Sequence, residues 1–362
     1  MRLLKTIPLV IFAAINLLVI VAMNYCAYTS TLPPQDYAKW SYFGLMFPAF
    51  LSINVIFVFF WLIFKWKWAC IPLIGMLFCA GDIRACFPIN FPSTPPAGSI
   101  KVLSYNVMAF GDDGTGKSKA DEWQKNPILR YLLESDADII CLQEARKSFI
   151  DAAIDSISAI YPYHHERLET DNYIACFSKH PLDYIEEIDY PTTTNHSHVY
   201  RLKRGEDTLI VINNHLESYR LSKEDKNDYK SIIKNYRAPN QNDSKTKYQT
   251  LMEKLSHHDS IRGLQVDSVV AYINRHPNER IILCGDLNAT PVSYIHNRLT
   301  SVLNDAYTRS GNGPGISYNQ SGMYFRLDHI MVSPSIKTYG ATVDQSIKYS
   351  DHYPIYCFLN WE

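Results

Sequence analysis

Ile281-Ile282-Leu283-Cys284-Gly285-Asp286-Leu287-Asn288 is the stretch whose reading decides the fold. Four apolar residues in a row read as a strand buried on both faces. Gly285 ends the run. Asp286 and Asn288 follow two apart, which puts them on one face of an extended chain. A carboxylate and a carboxamide at the mouth of a buried strand suit holding a cation or an attacking water. Gly, Asp and Asn are also ordinary turn residues, so this stretch alone leaves a plain turn open. Recurrence moves the odds, because other apolar runs end in the same way.

Outward from this strand, apolar runs alternate with amphipathic ones from Ile100 to Glu362. Lys101–Val107 reads as a strand carrying Asn106, and Ala137–Glu144 as a second buried strand. Between them Pro127–Glu134 has Ile128, Leu129, Leu132 and Leu133 at helical spacing. Phe149–Ile160 is a helix with Phe149, Ala153, Ile157 and Ile160 on one face. Tyr173–Ser178 and Thr208–His215 are strands, and Leu264–Asn274 is the helix that leads into Ile281. Arg326–Val332 and Ser350–Leu359 complete the series. Hairpin-like neighbours mix with βα units, so an α/β fold with a sheet-on-sheet core flanked by helices fits. No repeat of 20–50 residues is visible.

The strand ends carry the chemistry. They are Asn106, Glu144, His215, Asp286 with Asn288, Asp328, and Asp351 with His352. A lone His or Glu is more often structural than catalytic. Several such groups buried together without a cation or substrate would be costly. Carboxylates and amides suit Mg²⁺ or Mn²⁺, and the lack of a Cys/His ligand set argues against structural zinc. Two histidines beside a hard cation suit phosphoester hydrolysis, one handling the water's proton and the other stabilising phosphoryl charge. Cys141, Cys176, Cys284 and Cys357 all lie inside apolar strands and read as small buried hydrophobes rather than ligands or disulfide partners.

Charge divides the 362 residues in two. The first 99 hold six basic and two acidic residues and no histidine, leaving 29 basic, 34 acidic and all 12 His for the rest. An acidic soluble part with a net of −5 offers no broad electrostatic footprint for nucleic acid. Phe91-Pro-Ser-Thr-Pro-Pro-Ala-Gly-Ser99 is a linker by composition. Residues 1–90 are thus expected to be a membrane anchor, 91–99 a linker, and 100–362 the soluble domain.

Within the anchor, Ile7–Tyr28 and Phe43–Phe64 are uncharged runs of 22 residues each, long enough to cross a hydrocarbon core of about 30 Å. A signal peptide is the alternative for the first run, but no small-residue cleavage site follows it. Aromatics cluster at the ends, among them Tyr25, Tyr28, Trp40, Trp61 and Trp68. A third run, Trp68–Ile89, decides the topology. Arg2 and Lys5 mark one cytoplasmic end and Lys65 and Lys67 another, so the loop between the first two spans is translocated. If the third run crosses, the soluble domain lies outside the cytoplasm; if it is re-entrant, the domain is cytoplasmic. Crossing is favoured, since the two lysines need a return path.

In chain order, Ser104-Tyr105-Asn106, Leu142-Gln143-Glu144, Asn214-His215-Leu216, Gly285-Asp286-Leu287-Asn288, Arg326-Leu327-Asp328 and Ser350-Asp351-His352-Tyr353-Pro354 resemble a known motif set. It is that of the endonuclease/exonuclease/phosphatase superfamily, which includes pancreatic-type deoxyribonucleases, abasic-site endonucleases, inositol polyphosphate 5-phosphatases and neutral sphingomyelinases. The resemblance covers Ile100 to Glu362 and is that of a membrane-anchored bacterial member. It implies a four-layered α/β sandwich preceded by two or three transmembrane helices. It also implies roles: Glu144 as main metal ligand, with Asn106 close by and Asp351 on the metal side. Asp286 and Asn288 would position or activate water. His352 would be general base or phosphate-charge stabiliser, oriented by Asp328, and His215 would bind a phosphoryl oxygen. Asp171 is a candidate partner for His215, with Glu166 and Glu169 competing. Leu327 stands where the family usually has Ile, and both are apolar.

The expected function is a membrane-tethered, Mg²⁺- or Mn²⁺-dependent phosphoesterase in a bacterial cytoplasmic membrane. Its expected partners are the lipid bilayer and a phosphodiester from nucleic acid or a phospholipid headgroup; no obligate protein partner is evident. Alternatives are a phosphomonoesterase acting on lipid or inositol phosphates, and a non-catalytic binding module on the same scaffold. A decayed module should have lost Glu144, Asp286, Asn288 or His352, and all are present. A transporter is disfavoured by so few spans. Residues 219–262 form an insertion with ten basic and six acidic residues and interleaved tyrosines. It reads as a solvated helical excursion or as a headgroup or nucleic-acid contact.

Overall fold

The structure, a computed structural model, describes residues 2–111, 120–166, 173–192, 195–222, 224–227, 230, 241–320 and 322–361. Its amino-terminal part is helical. α1 (Arg2–Thr29) contains an apolar stretch of 22 residues, Pro8–Thr29, and a 3₁₀ helix over Ala38–Met46 runs directly into α2 (Phe47–Phe64) to give a helical stretch of 27 residues, each long enough to cross a membrane. Leu18, Val21, Ile56 and Ile63 face outward. Polar groups face inward: Asn16 Nδ2 donates to Asn54 Oδ1 at 3.1 Å, and Trp61 Nε1 to Asn16 Oδ1 at 3.0 Å. Pairing of this kind satisfies polar side chains that apolar surroundings would otherwise leave without partners.

The third apolar run differs from the continuous segment expected over 68–89. It is two helices, α3 (Cys70–Leu77) and α4 (Ala80–Cys86), bent by 78° at the break. Trp68 packs on Trp61, their ring centres 5.1 Å apart. Further along, Asn24 donates to the carbonyl of Gly75 at 3.1 Å. Cys79 and Cys86 then pack with Met23, Ala27 and Phe47. The run therefore travels from the carboxyl end of α2 to the level where α1 ends and α2 begins.

The soluble part begins with β1 (Ile100–Asn106), α5 (Pro127–Glu134), β2 (Ile139–Ala145), α6 (Lys147–Ile160), β3 (Tyr163–Glu166) and β4 (Tyr173–Ser178). β5 (Leu182–Glu187), β6 (Ser197–Arg204) and β7 (Asp207–His215) lead to α7 (Gln241–Arg275) and β8 (Arg280–Asp286). The chain closes through α8 (Tyr294–Thr300), β9 (Asn304–Asp305), α9 (Ala306–Ser310), β10 (Tyr318–Gln320), β11 (Met323–Phe325), β12 (Asp328–Val332), β13 (Lys337–Val343) and β14 (Ile355–Asn360).

Two six-stranded sheets result, ordered β13-β14-β1-β2-β4-β3 and β5-β6-β7-β8-β12-β9. Strand β8 shows why they pack face to face. Its side chains alternate, Ile282 and Cys284 entering the core between the sheets, Ile281 and Leu283 the core beneath α7 and α8. Burying each such aliphatic side chain contributes about 1.5–3 kcal/mol. On the outer face of the first sheet, Leu103 and Ile140 pack under α5 and α6. The order is helices, sheet, sheet, helices: the expected four-layered α/β sandwich. Cys141, Cys176, Cys284 and Cys357 are all free and buried in the inter-sheet core.

Two local signals fix the helix starts. Asn126 caps α5, its Oδ1 accepting from the backbone of Ile128 and Leu129, with Pro127 pre-set for the first turn. Ser293 caps α8 through His296 N. The helix expected over 264–274 is longer: α7 runs back through the second half of the 219–262 insertion. In its described part Leu251, Leu255 and Arg262 are buried, so one face of this helix packs on the domain.

Candidate active site

Parallel pairing of β1 with β2 and of β7 with β8 brings Asn106, Glu144, His215 and Asp286 to one edge of the sandwich. β12 runs antiparallel to β8, with Asp328 opposite Asp286, so its first residue arrives at the same edge. β14 runs antiparallel to β1, which delivers Asp351 and His352 just ahead of its start. Ser350 Oγ donates to the carbonyl of Asn106 at 2.8 Å and fixes that approach. Asp328 thus begins a strand and Asp351 and His352 precede one, whereas the other four lie at strand ends.

One carboxamide ties the two sheets together. Asn106 Nδ2 donates to Glu144 Oε1 at 3.0 Å and to Asp286 Oδ2 at 3.1 Å. Its oxygen accepts from Met108 N at 3.1 Å. Its amide nitrogen, not its oxygen, therefore faces the two carboxylates. Beneath it Gln143 Nε2 donates to Asn213 Oδ1 at 2.7 Å, and Asn213 Nδ2 to the carbonyls of Leu142 and Ala175. Sequence reasoning gave neither Gln143 nor Asn213 a role; the one available signal was an amide inside an apolar strand.

His352 is held from behind. Its Nδ1 lies 2.7 Å from Asp328 Oδ2, and its Nε2 3.6 Å from Asp286 Oδ2. Ser317 Oγ accepts from the backbone of Leu327 and Asp328 and so sets the start of β12. Burial opposes charge on the ring, but Asp328 and Asp286 outweigh it and hold the imidazole well above its ordinary 6.5. Burial pushes Asp286 up to about 6, against the opposing pull of His352. Burial pushes His215 below 6.5, leaving that ring neutral. The His215 Nε2 lies 3.6 Å from Glu144 Oε1, beyond hydrogen-bond reach. Tyr318, which no sequence pattern singled out, meets the His352 ring edge-on at 5.0 Å.

The Asp286–Asn288 pair is not an extended strand end. Asn288 has φ 48°, its N–H donates to Asp286 Oδ1 at 2.8 Å, and its Nδ2 donates to the carbonyl of Leu216 at 3.0 Å. The two side chains converge through a tight turn, not through strand alternation. Glu144, φ 52°, is likewise left-handed. Non-glycine residues held there mark strain that the surroundings must over-determine, a recurrent feature of functional sites.

The donor set fits a hard cation. Glu144 and Asp351, which line one cavity of about 370 Å³, offer the carboxylate oxygens that such a cation takes. In the neighbouring Asp286, Asp328 and His352 cluster, whose atoms lie within 4.8 Å of one another, the imidazole already supplies positive charge. Two buried polar atoms aimed into the region, His215 Nε2 and Asp328 Oδ1, have no hydrogen-bond partner among the described residues. Unsatisfied groups of this kind call for a ligand. A second cluster, His296, Asp305 and His329, reads differently: Arg326 stands 3.7 Å from Asp305 and already supplies the positive charge. Asp171 and Glu169, proposed against His215, lie outside the described residues, as does the side chain of Glu166.

Over residues 103–352 the chain matches the Endonuclease/Exonuclease/phosphatase family, and over residues 9–86 a domain of unknown function, DUF8431. It is similar in structure to TDP2 of D. rerio complexed with single strand DNA product (19% identity, 73% of this chain and 99% of that one, TM-score 0.50). It is also similar to the human Nocturnin catalytic domain with bound sulfate (15%, 74% and 97%, TM-score 0.51). A third is the endonuclease/exonuclease/phosphatase from Bacteroides vulgatus (12%, 73% and 99%, TM-score 0.51). At these identities the likenesses establish the fold. No curated protein matches.

Proposed function

This chain belongs to the endonuclease/exonuclease/phosphatase family, and on that premise we propose that it is a membrane-tethered, Mg²⁺- or Mn²⁺-dependent phosphoesterase that cleaves a phosphodiester with water. The observation that carries this reading is the Asp328–His352 pair, 2.7 Å apart and buried, with the free ring nitrogen 3.6 Å from Asp286.

Each residue has a task in this reading. Asp286, its Oδ1 held by the Asn288 N–H, accepts the proton of the attacking water. His352, kept charged by Asp328, faces the phosphoryl oxygens and stabilises the charge that builds there, or protonates the leaving group. This favours charge stabiliser over general base for His352. His215, neutral and orphaned at Nε2, donates to another phosphoryl oxygen. Asn106 keeps the Glu144 and Asp286 carboxylates together, and Glu144 with Asp351 would hold the cation. When bound, the cation supplies Lewis-acid polarisation of the phosphoryl group and charge neutralisation.

Residues 1–90 serve as the anchor, 91–99 as the linker and 100–362 as the catalytic domain. Crossing by the bent α3–α4 segment would put that domain on the extracytoplasmic side of the cytoplasmic membrane. The test is hydrolysis of DNA, RNA, sphingomyelin, phosphatidylinositol phosphates and a monoester by purified protein. Activity lost in EDTA and restored by Mg²⁺ or Mn²⁺ supports the reading; full activity in chelator overturns it, because every proposed ligand is oxygen.

A further inference from the structure

The cavity in front of Asp286 and His352 is not walled by the catalytic domain alone. Tyr42, Leu45 and Met46 line it, from the turn that immediately precedes α2. Leu251 and Leu255 of α7 line a second side, and Met323 and Phe325 of the β10–β11 hairpin a third. The 38–46 segment is seated closely. A Cβ at Gly44 would stand 1.9 Å from the carbonyl oxygen of Val292, in the loop that follows Asn288. A largely apolar pocket therefore runs from the catalytic carboxylates to the start of α2, the second helix long and apolar enough to cross a membrane.

The cavity's size, about 370 Å³, falls in the range of ligand pockets, and its mixed aliphatic and aromatic walls suit hydrocarbon. A polynucleotide would instead need a basic track along its backbone. Among the described residues the Lys and Arg side chains lining this pocket are Arg220, paired with Glu217 at 2.9 Å, and Lys226, which lies over the Tyr318 ring that packs on His352. Their position suits one phosphate at the head of an apolar chain.

We infer that this pocket receives the acyl chain of a membrane phospholipid, placing the headgroup phosphodiester at Asp286 and His352. The assignment rests on the phosphoesterase reading for its chemistry, but the pocket is tested separately. The full chain in nanodiscs with Mg²⁺ is given p-nitrophenyl alkyl phosphates from methyl to decyl. kcat/KM should rise roughly fourfold per methylene until the pocket is filled. Met46→Glu and Leu251→Glu should flatten that slope, each rate being normalised to the same variant's rate on the methyl ester; Met46 is 44% exposed, so its change does not threaten the fold. Equal slopes in wild type and variants overturn the inference.

In parallel, a phosphatidylglycerol with a mid-chain diazirine is photolysed in the same nanodiscs and the adducts are mapped. Adducts at residues 42–46 and 251–255 support the assignment, and adducts confined to the outward faces of α1–α3 overturn it. Adducts in the pocket without turnover of any ester would defeat the phosphoesterase reading alone. Turnover of the methyl ester with flat slopes and no pocket adducts would defeat the lipid assignment alone.

Discussion

Ser41 Oγ donates to Asp259 Oδ2 at 2.7 Å, bonding the connection between the two long apolar helices to the middle of α7. It is not an isolated contact. Gln35 reaches Asp267 at 3.2 Å, and Ser260 donates to the carbonyl of Pro34 at 2.8 Å. A loop so joined must lie on the same side of a bilayer as the domain it touches. Arg2, Lys5, Lys65 and Lys67 lie at the opposite ends of the helices, which the positive-inside bias assigns to the cytoplasm. In a Cys70→Ala background, cysteines placed at Lys39 and Lys337 should therefore react with an impermeant maleimide added outside intact cells. A cysteine at Lys67 should react only after lysis. Protection at Lys337 with labelling at Lys39 would break the topology.

Gly285 should be irreplaceable. Its φ is 144°, and a Cβ there would lie 1.9 Å from the carbonyl oxygen of Asn214. Asn214 is its neighbour across the parallel β7–β8 pairing, so backbone must move to make room. Gly285→Ala is expected to destabilise the domain by roughly 3 kcal/mol or more and to displace Asp286 from Asn106. Thermal melting measures the first effect. A variant melting within a degree of wild type would contradict it.

Much of this was legible in the chain. Ile281–Cys284 forms a strand buried on both faces because a run of four apolar residues leaves no face for solvent. The strand-end residues meet because parallel neighbours finish at one edge. Asn288 was harder: alternation implied an extended pair, but its side chain answers to Leu216, 72 residues away. Local pattern carries no trace of such an acceptor. The same holds for Asn106, whose orientation follows from Met108 N–H and from a carboxylate in the other sheet. The 38–46 segment read as the end of a translocated loop and, from Phe43, the start of a span, and only tertiary packing against Val292 and α7 makes it a wall of the site.

Acid should loosen the fold through a buried network away from the cavity. Burial opposes charge on Asp305, yet His296, His329 and Arg326 outweigh it and hold its carboxyl well below 3.8. Burial pushes His296 below 6.5. Unfolded His296 takes up a proton below about pH 6.5 that the folded ring refuses, so stability falls as pH drops through that range. Asp305 adds a further loss below about pH 3.8, where only the unfolded carboxylate is protonated. Asp305→Asn should cost about 3 kcal/mol at pH 7, having left Arg326 buried without its partner. The gap between the two proteins' melting temperatures should hold down to about pH 4 and begin to narrow by pH 3. A gap that stays constant to pH 3 would count against the depressed carboxyl.

His352 and Glu144 should fail in different ways. His352 bonds Asp328 and faces Asp286, whereas Glu144 stands across Asn106 on the side assigned to the cation. His352→Ala removes a positioned charge but leaves the carboxylates, so turnover should drop roughly 10²–10⁴-fold with metal affinity nearly intact. Glu144→Gln removes a ligand charge, so its rate should recover partly as Mg²⁺ is raised. Asp328→Asn should resemble His352→Ala, because it releases the ring without touching the oxygen ligands. Rates are to be titrated against Mg²⁺ for all three. Rescue of His352→Ala by excess metal, with none for Glu144→Gln, would reverse the roles assigned to the two residues.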